Sequence, residues 1–144
     1  MACPCFYPTR RMEQTLWPHP SRLPLGDGFE GVCSAEPANE VRPADATLQE
    51  YCNLGYARGR CSRFPPGAEP DAVRFALSGD EDGIVRIYYV LEKDHRPHEH
   101  GPLEYDAGRR TFASPHPDRV IGRQAEAFVE SYLRRRRECL LPRP

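Results

Sequence analysis

Apolar and polar residues alternate most clearly in the middle of the chain. Val73, Phe75 and Leu77 are interleaved with Arg74 and Ala76, which predicts a half-buried strand. Gly79-Asp80-Glu81-Asp82-Gly83 reads as a polar turn, and Ile84 to Glu92 is a long β-branched and aromatic run suited to a central strand. Leu103-Glu104-Tyr105 and Thr111-Phe112 flank Asp106-Ala107-Gly108-Arg109, a second hairpin signal. From Pro117-Asp118 onward the period changes. Ile121, Ala125, Phe128 and Tyr132 fall on one stripe of an amphipathic helix. That stripe requires an apolar partner, which one face of the sheet supplies. The pattern therefore predicts an α+β fold: a small antiparallel sheet of three or four strands, packed by a C-terminal helix.

Residues 1–66 have little periodicity. One helix is predicted there, at about 44–54. Pro43 suits a first turn, Asp45 complements the dipole, Leu48, Tyr51 and Cys52 share a face, and Gly55 is a stop. The remainder reads as loop. The expected organisation is one domain over residues 1–144, with a Cys-rich, loop-rich, metal-binding part (1–66) and a sheet-plus-helix part (67–144).

Composition sharpens this picture. Only 27 of the 144 residues are Leu, Ile, Val or Phe, while Pro and Gly number 16 and 11. So thin a core needs help beyond apolar burial, and the chain carries six Cys. The net charge of −1 argues against outright disorder. No signal-peptide pattern and no apolar run of membrane-spanning length is present, so the expected compartment is cytoplasmic and reducing. In that setting the Cys read as metal ligands before they read as disulfides.

Cys3, Cys5, Cys33, Cys52 and Cys61 crowd the first 61 residues; Cys139 stands apart. The wide, irregular spacings suit an iron–sulfur cluster, whose ligands bind different irons and can arrive from separate loops. Cys5, Cys33, Cys52 and Cys61 are the candidate ligands. Cys3 is the substitute for Cys5, placed second because it is nearest a terminus expected to fray. Phe6, Tyr7, Phe29, Tyr51, Tyr56 and Phe64 are available to shield a cluster, and Arg58, Arg60 and Arg63 to offset its charge. Structural zinc is the alternative cofactor, although no short Cys-x2-4-Cys knuckle is present. Packed thiols in a metal-free adaptor or interaction domain form the third reading.

His95, His98 and His100 are predicted to lie in a loop between strands. His98-x-His100-x3-Glu104 partly resembles the first metal motif of cupin barrels. No glycine precedes it in the expected place and no later His completes it, so an exposed polar loop is the expectation, with a small metal enzyme as the competing one. His19 and His116, each between prolines, read as loop residues. Arg134-Arg135-Arg136-Arg137 suits a helix C-terminus better than a nucleic-acid contact, because no stacking platform accompanies it. Phosphate loop, dinucleotide fingerprint and nucleophile elbow are all missing, so no catalytic residue is assigned. The expected role is electron transfer, redox sensing or structural support, exercised with a protein partner or within an assembly and not at a membrane.

Overall fold

The computed structural model describes residues 1–12, 23–36, 38–67 and 70–140, with side chains to residue 137. The predicted α+β arrangement is present. Strands β3 (Ala72–Glu81), β4 (Ile84–Lys93), β5 (Arg96–Asp106) and β6 (Thr111–Phe112) form one antiparallel sheet in that order, and helix α2 (Arg119–Leu140) packs on it. The inward positions Val85, Ile87, Leu103, Tyr105 and Phe112 meet Ala125 and Val129 of the helix, with Phe128 and Tyr132 beside them.

The turns differ in detail from those expected. β3 runs on to Glu81 through a bulge between Leu77 and Gly79, and the chain reverses at Asp82-Gly83, both in the left-handed region. The histidine segment is not a loop. The β4–β5 hairpin closes at Asp94-His95, again both left-handed, so His98 and His100 belong to β5. Two consecutive left-handed residues give a reversal whose twist matches that of the flanking strands. His100 Nδ1 lies 2.6 Å from the Tyr88 hydroxyl, and His95 stacks on Tyr56.

The N-terminal part carries more regular structure than its pattern foretold. Strands β1 (Phe6–Arg11) and β2 (Phe29–Cys33) form an antiparallel pair, with Phe6 opposite Cys33 and Pro8 opposite Gly31. Pro8 breaks the apolar alternation that announces a strand, yet it fits here because an edge position needs no N–H at that point. Gly31 is required by close approach, since a Cβ there would lie 2.1 Å from the Tyr7 carbonyl oxygen. Gly31→Ala must therefore part the two strands. We expect it to cost about 1–3 kcal/mol, the range of an overpacked buried site, seen as a lower thermal midpoint.

The predicted helix is present as α1 (Asp45–Thr47), which continues as a π-helical turn over Leu48–Cys52. The Asn53 N–H donates to the Leu48 carbonyl, the wider i→i+5 spacing of that turn. Gly55, at φ +80°, ends it.

Helix α2 buries two faces rather than one. The sheet takes Ile121, Ala125 and Val129. The other side carries Gln124, Ala127 and Ser131, all buried, toward the N-terminal part. Ala127 joins a core of Ala2, Cys3, Phe6, Leu25, Phe29, Leu48 and Cys52. Three of the four C-terminal arginines are held internally: Arg134 and Arg135 by Asp27, Arg136 by Asp80. Among the described residues no helix is long and apolar enough to cross a membrane.

Candidate metal centre

All five N-terminal thiols line one cavity. Cys3, Cys5, Cys33, Cys52 and Cys61 share its walls with Phe6, Tyr51, Phe64 and Arg63. Their convergence has a backbone cause. The Cys3 N–H donates to the Cys52 carbonyl (3.0 Å), and the Ser34 N–H donates to the Cys5 carbonyl (2.7 Å). Phe6 pairs with Cys33 across β1 and β2, so Cys5 and Cys33 sit at the same end of that pair. Cys61 is carried on a turn in which its N–H reaches Ala57 O (2.8 Å) and its carbonyl accepts from Phe64 N–H (3.1 Å). That turn is moored to the main sheet by Arg58 Nε on Asp71 Oδ1 (2.6 Å) and Tyr56 OH on Glu92 Oε1 (2.5 Å).

Two buried amides complete the frame. Gln124 Nε2 donates to the carbonyls of Cys3 and Phe6, each at 2.7 Å, and so clamps the Cys3-Pro4-Cys5-Phe6 turn from helix α2. Asn53 receives the Phe29 N–H on Oδ1 and returns Nδ2 to the carbonyls of Phe29 and Leu48 (2.9–3.0 Å). Its side chain thus acts as a piece of strand that joins the Cys52 turn to β2. Asn53→Ala would take the side-chain partner from the buried Phe29 N–H and carbonyl, while the Leu48 carbonyl keeps the Asn53 N–H. The expected loss is about 3 kcal/mol of stability, measured as a fall in the urea midpoint.

The terminus near Cys3 is not frayed as the sequence led us to expect. Ala2 and Val73 exchange both backbone hydrogen bonds (2.7 and 2.8 Å), and Ala2 and Cys3 are buried. The ground for ranking Cys5 above Cys3 therefore falls away, although both face the cavity. The aromatic shield divides. Phe6, Tyr51 and Phe64 line the thiol cavity, whereas Tyr7 lies under Arg119 and Tyr56 under His95. Of the arginines, Arg58 and Arg60 lie over Phe64 and Tyr51, and only Arg63 lines the cavity. Hydrogen bonding to the Cys33 sulfur raises the Arg63 pKa, and Arg63 also donates to Asn39 O (3.0 Å).

Electrostatics links the thiols to one another. Burial pushes the Cys52 thiol up to about 12, and charge on Cys33, Cys61 and Cys5 adds to the rise. Hydrogen bonding with Cys5, then burial, pushes Cys3 well above its ordinary value. None of the five is disulfide-bonded. The backbone of Cys139 lies in the last turn of α2, and its side chain is outside the described residues.

No protein-family model, curated protein or solved structure matches this chain. What the site can do is therefore argued from its own chemistry. Five soft sulfur donors, apolar and aromatic walls and one guanidinium fit the needs of a negatively charged thiolate-bound cofactor. Among the described residues no three His, Cys, Asp or Glu side chains are arranged to hold a single metal ion. The thiols border a common space instead of meeting at a point. That space is about 30 Å³, room for little more than a water, so any cofactor requires the thiols to turn outward.

Proposed function

We propose that the protein is a small metal-binding protein that holds an iron–sulfur cluster through Cys5, Cys33, Cys52 and Cys61, with Cys3 as the alternative to Cys5. One observation carries this reading: five Cys scattered over 59 residues line a single, largely apolar cavity. Packed thiols alone give no reason for that convergence, because small hydrophobes can be buried anywhere in a core. A cluster spreads its sulfur ligands over several irons, so it suits thiols that surround a space, whereas zinc draws four donors around one small ion. Arg63 beside Cys33 offsets part of the thiolate charge. The role that follows is electron transfer, redox sensing or support of an assembly, exercised through a protein partner in the cytoplasm.

Anaerobic purification from iron-replete cells tests it. Brown protein with thiolate-to-iron absorption, and iron and acid-labile sulfide in comparable amounts, is the expected result. Colourless protein containing zinc establishes the single-ion alternative. Colourless protein with metals at trace level overturns both and leaves a metal-free interaction domain.

A further inference from the structure

A second, wider cavity of about 690 Å³ adjoins the first, and Cys5 and Ala35 line both. Its size lies within the roughly 300–1,000 Å³ of small-molecule sites. Its walls are stiff and apolar, formed by Pro4, Pro65, Pro70 and Pro117 with Leu91 and Ile121. Among the described residues neither Lys nor Arg lines it, while Glu99 and Asp118 both do.

The polar end of this cavity is ordered by hydrogen bonds. His116 Nδ1 accepts the Asp118 N–H at 3.0 Å, so the ring proton sits on Nε2, which faces Glu99 Oε2 at 3.3 Å. The Tyr89 hydroxyl donates to the same oxygen at 3.3 Å, and the Tyr89 and His116 rings meet edge to face, 4.7 Å between centroids. Two neutral donors therefore position Glu99 without cancelling its charge. Oε1 has no partner among the described residues, and the side chain remains 52% exposed. Helix α2 begins here, but its start is closed to anions. Asp118 Oδ1 already takes the N–H groups of Val120 (2.8 Å) and Ile121 (3.2 Å).

We propose that this cavity binds a small organic cation, an amine or amidine carried on an apolar ring, with Glu99 as its counter-ion. The proline and aliphatic walls take the ring, Glu99 Oε1 takes the charged N–H, and the far side of the ligand rests against the Cys5 wall. The counter-ion Glu99 and the proline, Leu91 and Ile121 walls lie outside the thiol set.

Phenethylamine, 2-phenylethanol and 3-phenylpropionate, which share a ring and differ in charge, test it by titration into the full-length protein with amide chemical shifts as readout. Phenethylamine is expected to saturate and to shift residues around 116–121. The alcohol should bind about tenfold more weakly, since it lacks the charge-assisted hydrogen bond, and the carboxylate should not bind. Glu99→Gln should weaken phenethylamine binding by about tenfold. Glu104→Gln, the same charge change at a residue paired with Arg86 outside this cavity, should leave it unaltered. Equal binding of amine and carboxylate, equal effects of the two substitutions, or no saturable binding of the amine would each overturn the proposal.

Discussion

Under the proposed ligation, Cys52→Ala should abolish metal binding. Cys52 is buried, burial foremost raises its thiol with charge on Cys33, Cys61 and Cys5 adding to the rise, and its carbonyl accepts the Cys3 N–H. If the total binding free energy is on the structural-metal scale of ~10–16 kcal/mol, one ligand in four contributes about 3 kcal/mol, or roughly a hundredfold in affinity. Cys33→Ala and Cys61→Ala should do the same, and iron-to-protein ratios for the single variants measure it. Cys52 is also a core residue, so Cys52→Ser, nearly isosteric with Cys, separates lost ligation from lost packing. Far-UV circular dichroism should stay close to wild type while metal is lost. Cys3→Ala and Cys5→Ala should retain more metal than these three, because both thiols face the cavity and one can replace the other. Cys139→Ala should retain it all. Metal lost from Cys139→Ala but kept in Cys52→Ala would show that the ligands lie elsewhere.

The C-terminal half was readable where apolar and polar positions alternate with the period of the element. Val73 and Phe75 alternate with the exposed Arg74 and Ala76, and Ile121, Ala125 and Phe128 repeat with the helical period, so the letters carry both the element and its orientation; Leu77 departs from the pattern and is 44% exposed. Strands β1 and β2 gave no such signal. Pro8 and Gly31 occupy paired positions in them, and both residue types are depleted in strands. What qualifies them here is tertiary: an edge position for Pro8 and a 2.1 Å approach at Gly31. Helix α2 was half read for a similar reason. Its second buried face is built on Gln124 and Ser131, which a hydropathy pattern assigns to solvent, and Gln124 is buried because two carbonyls of the Cys3–Phe6 turn need a donor.

The thiol set was readable as residues but not as a place. Nothing in the spacing of Cys33 and Cys61 says that they share a cavity; hairpin register, the π-helical turn and the Arg58–Asp71 pair bring them there. The ground for placing Cys3 below Cys5, a frayed chain end, does not hold in the structure. The bridge from Ala2 to Val73 is a long-range contact that no local pattern encodes. His116 was overlooked as a site residue for the same kind of reason. Flanked by prolines it looks like loop, and its partners Glu99 and Tyr89 come from two different strands.

If the proposed cluster is bound, removing it should loosen the N-terminal part well before the sheet. Hydrogen bonding with Cys5 and burial raise the Cys3 thiol, and burial with charge on Cys33, Cys61 and Cys5 raises Cys52, so a metal must displace protons to bind there, and its affinity rises with pH. Chelation should accordingly strip the site faster at pH 6 than at pH 8. In the stripped protein the segments bearing Cys5 and Cys61 keep their backbone bonds, a few side-chain moorings and the small core around Phe6, Leu25, Phe29 and Leu48. The four-stranded sheet keeps the clusters around Val85, Ile87 and Leu103 and its contact with Ala125 and Val129. Because the cavity now between the thiols is only about 30 Å³, a bound cluster has to push its walls apart, and metal-loaded and stripped forms should differ most there. Hydrogen exchange followed by mass spectrometry reads this directly. Peptides from 1–12, 23–36 and 45–64 are expected to exchange at least about tenfold faster after chelation, which corresponds to about 1.4 kcal/mol of lost local stability, while β4, β5 and α2 change little. Uniform acceleration along the chain would mean that the metal supports the whole fold. No change in 45–64 would mean that Cys52 and Cys61 do not ligate it.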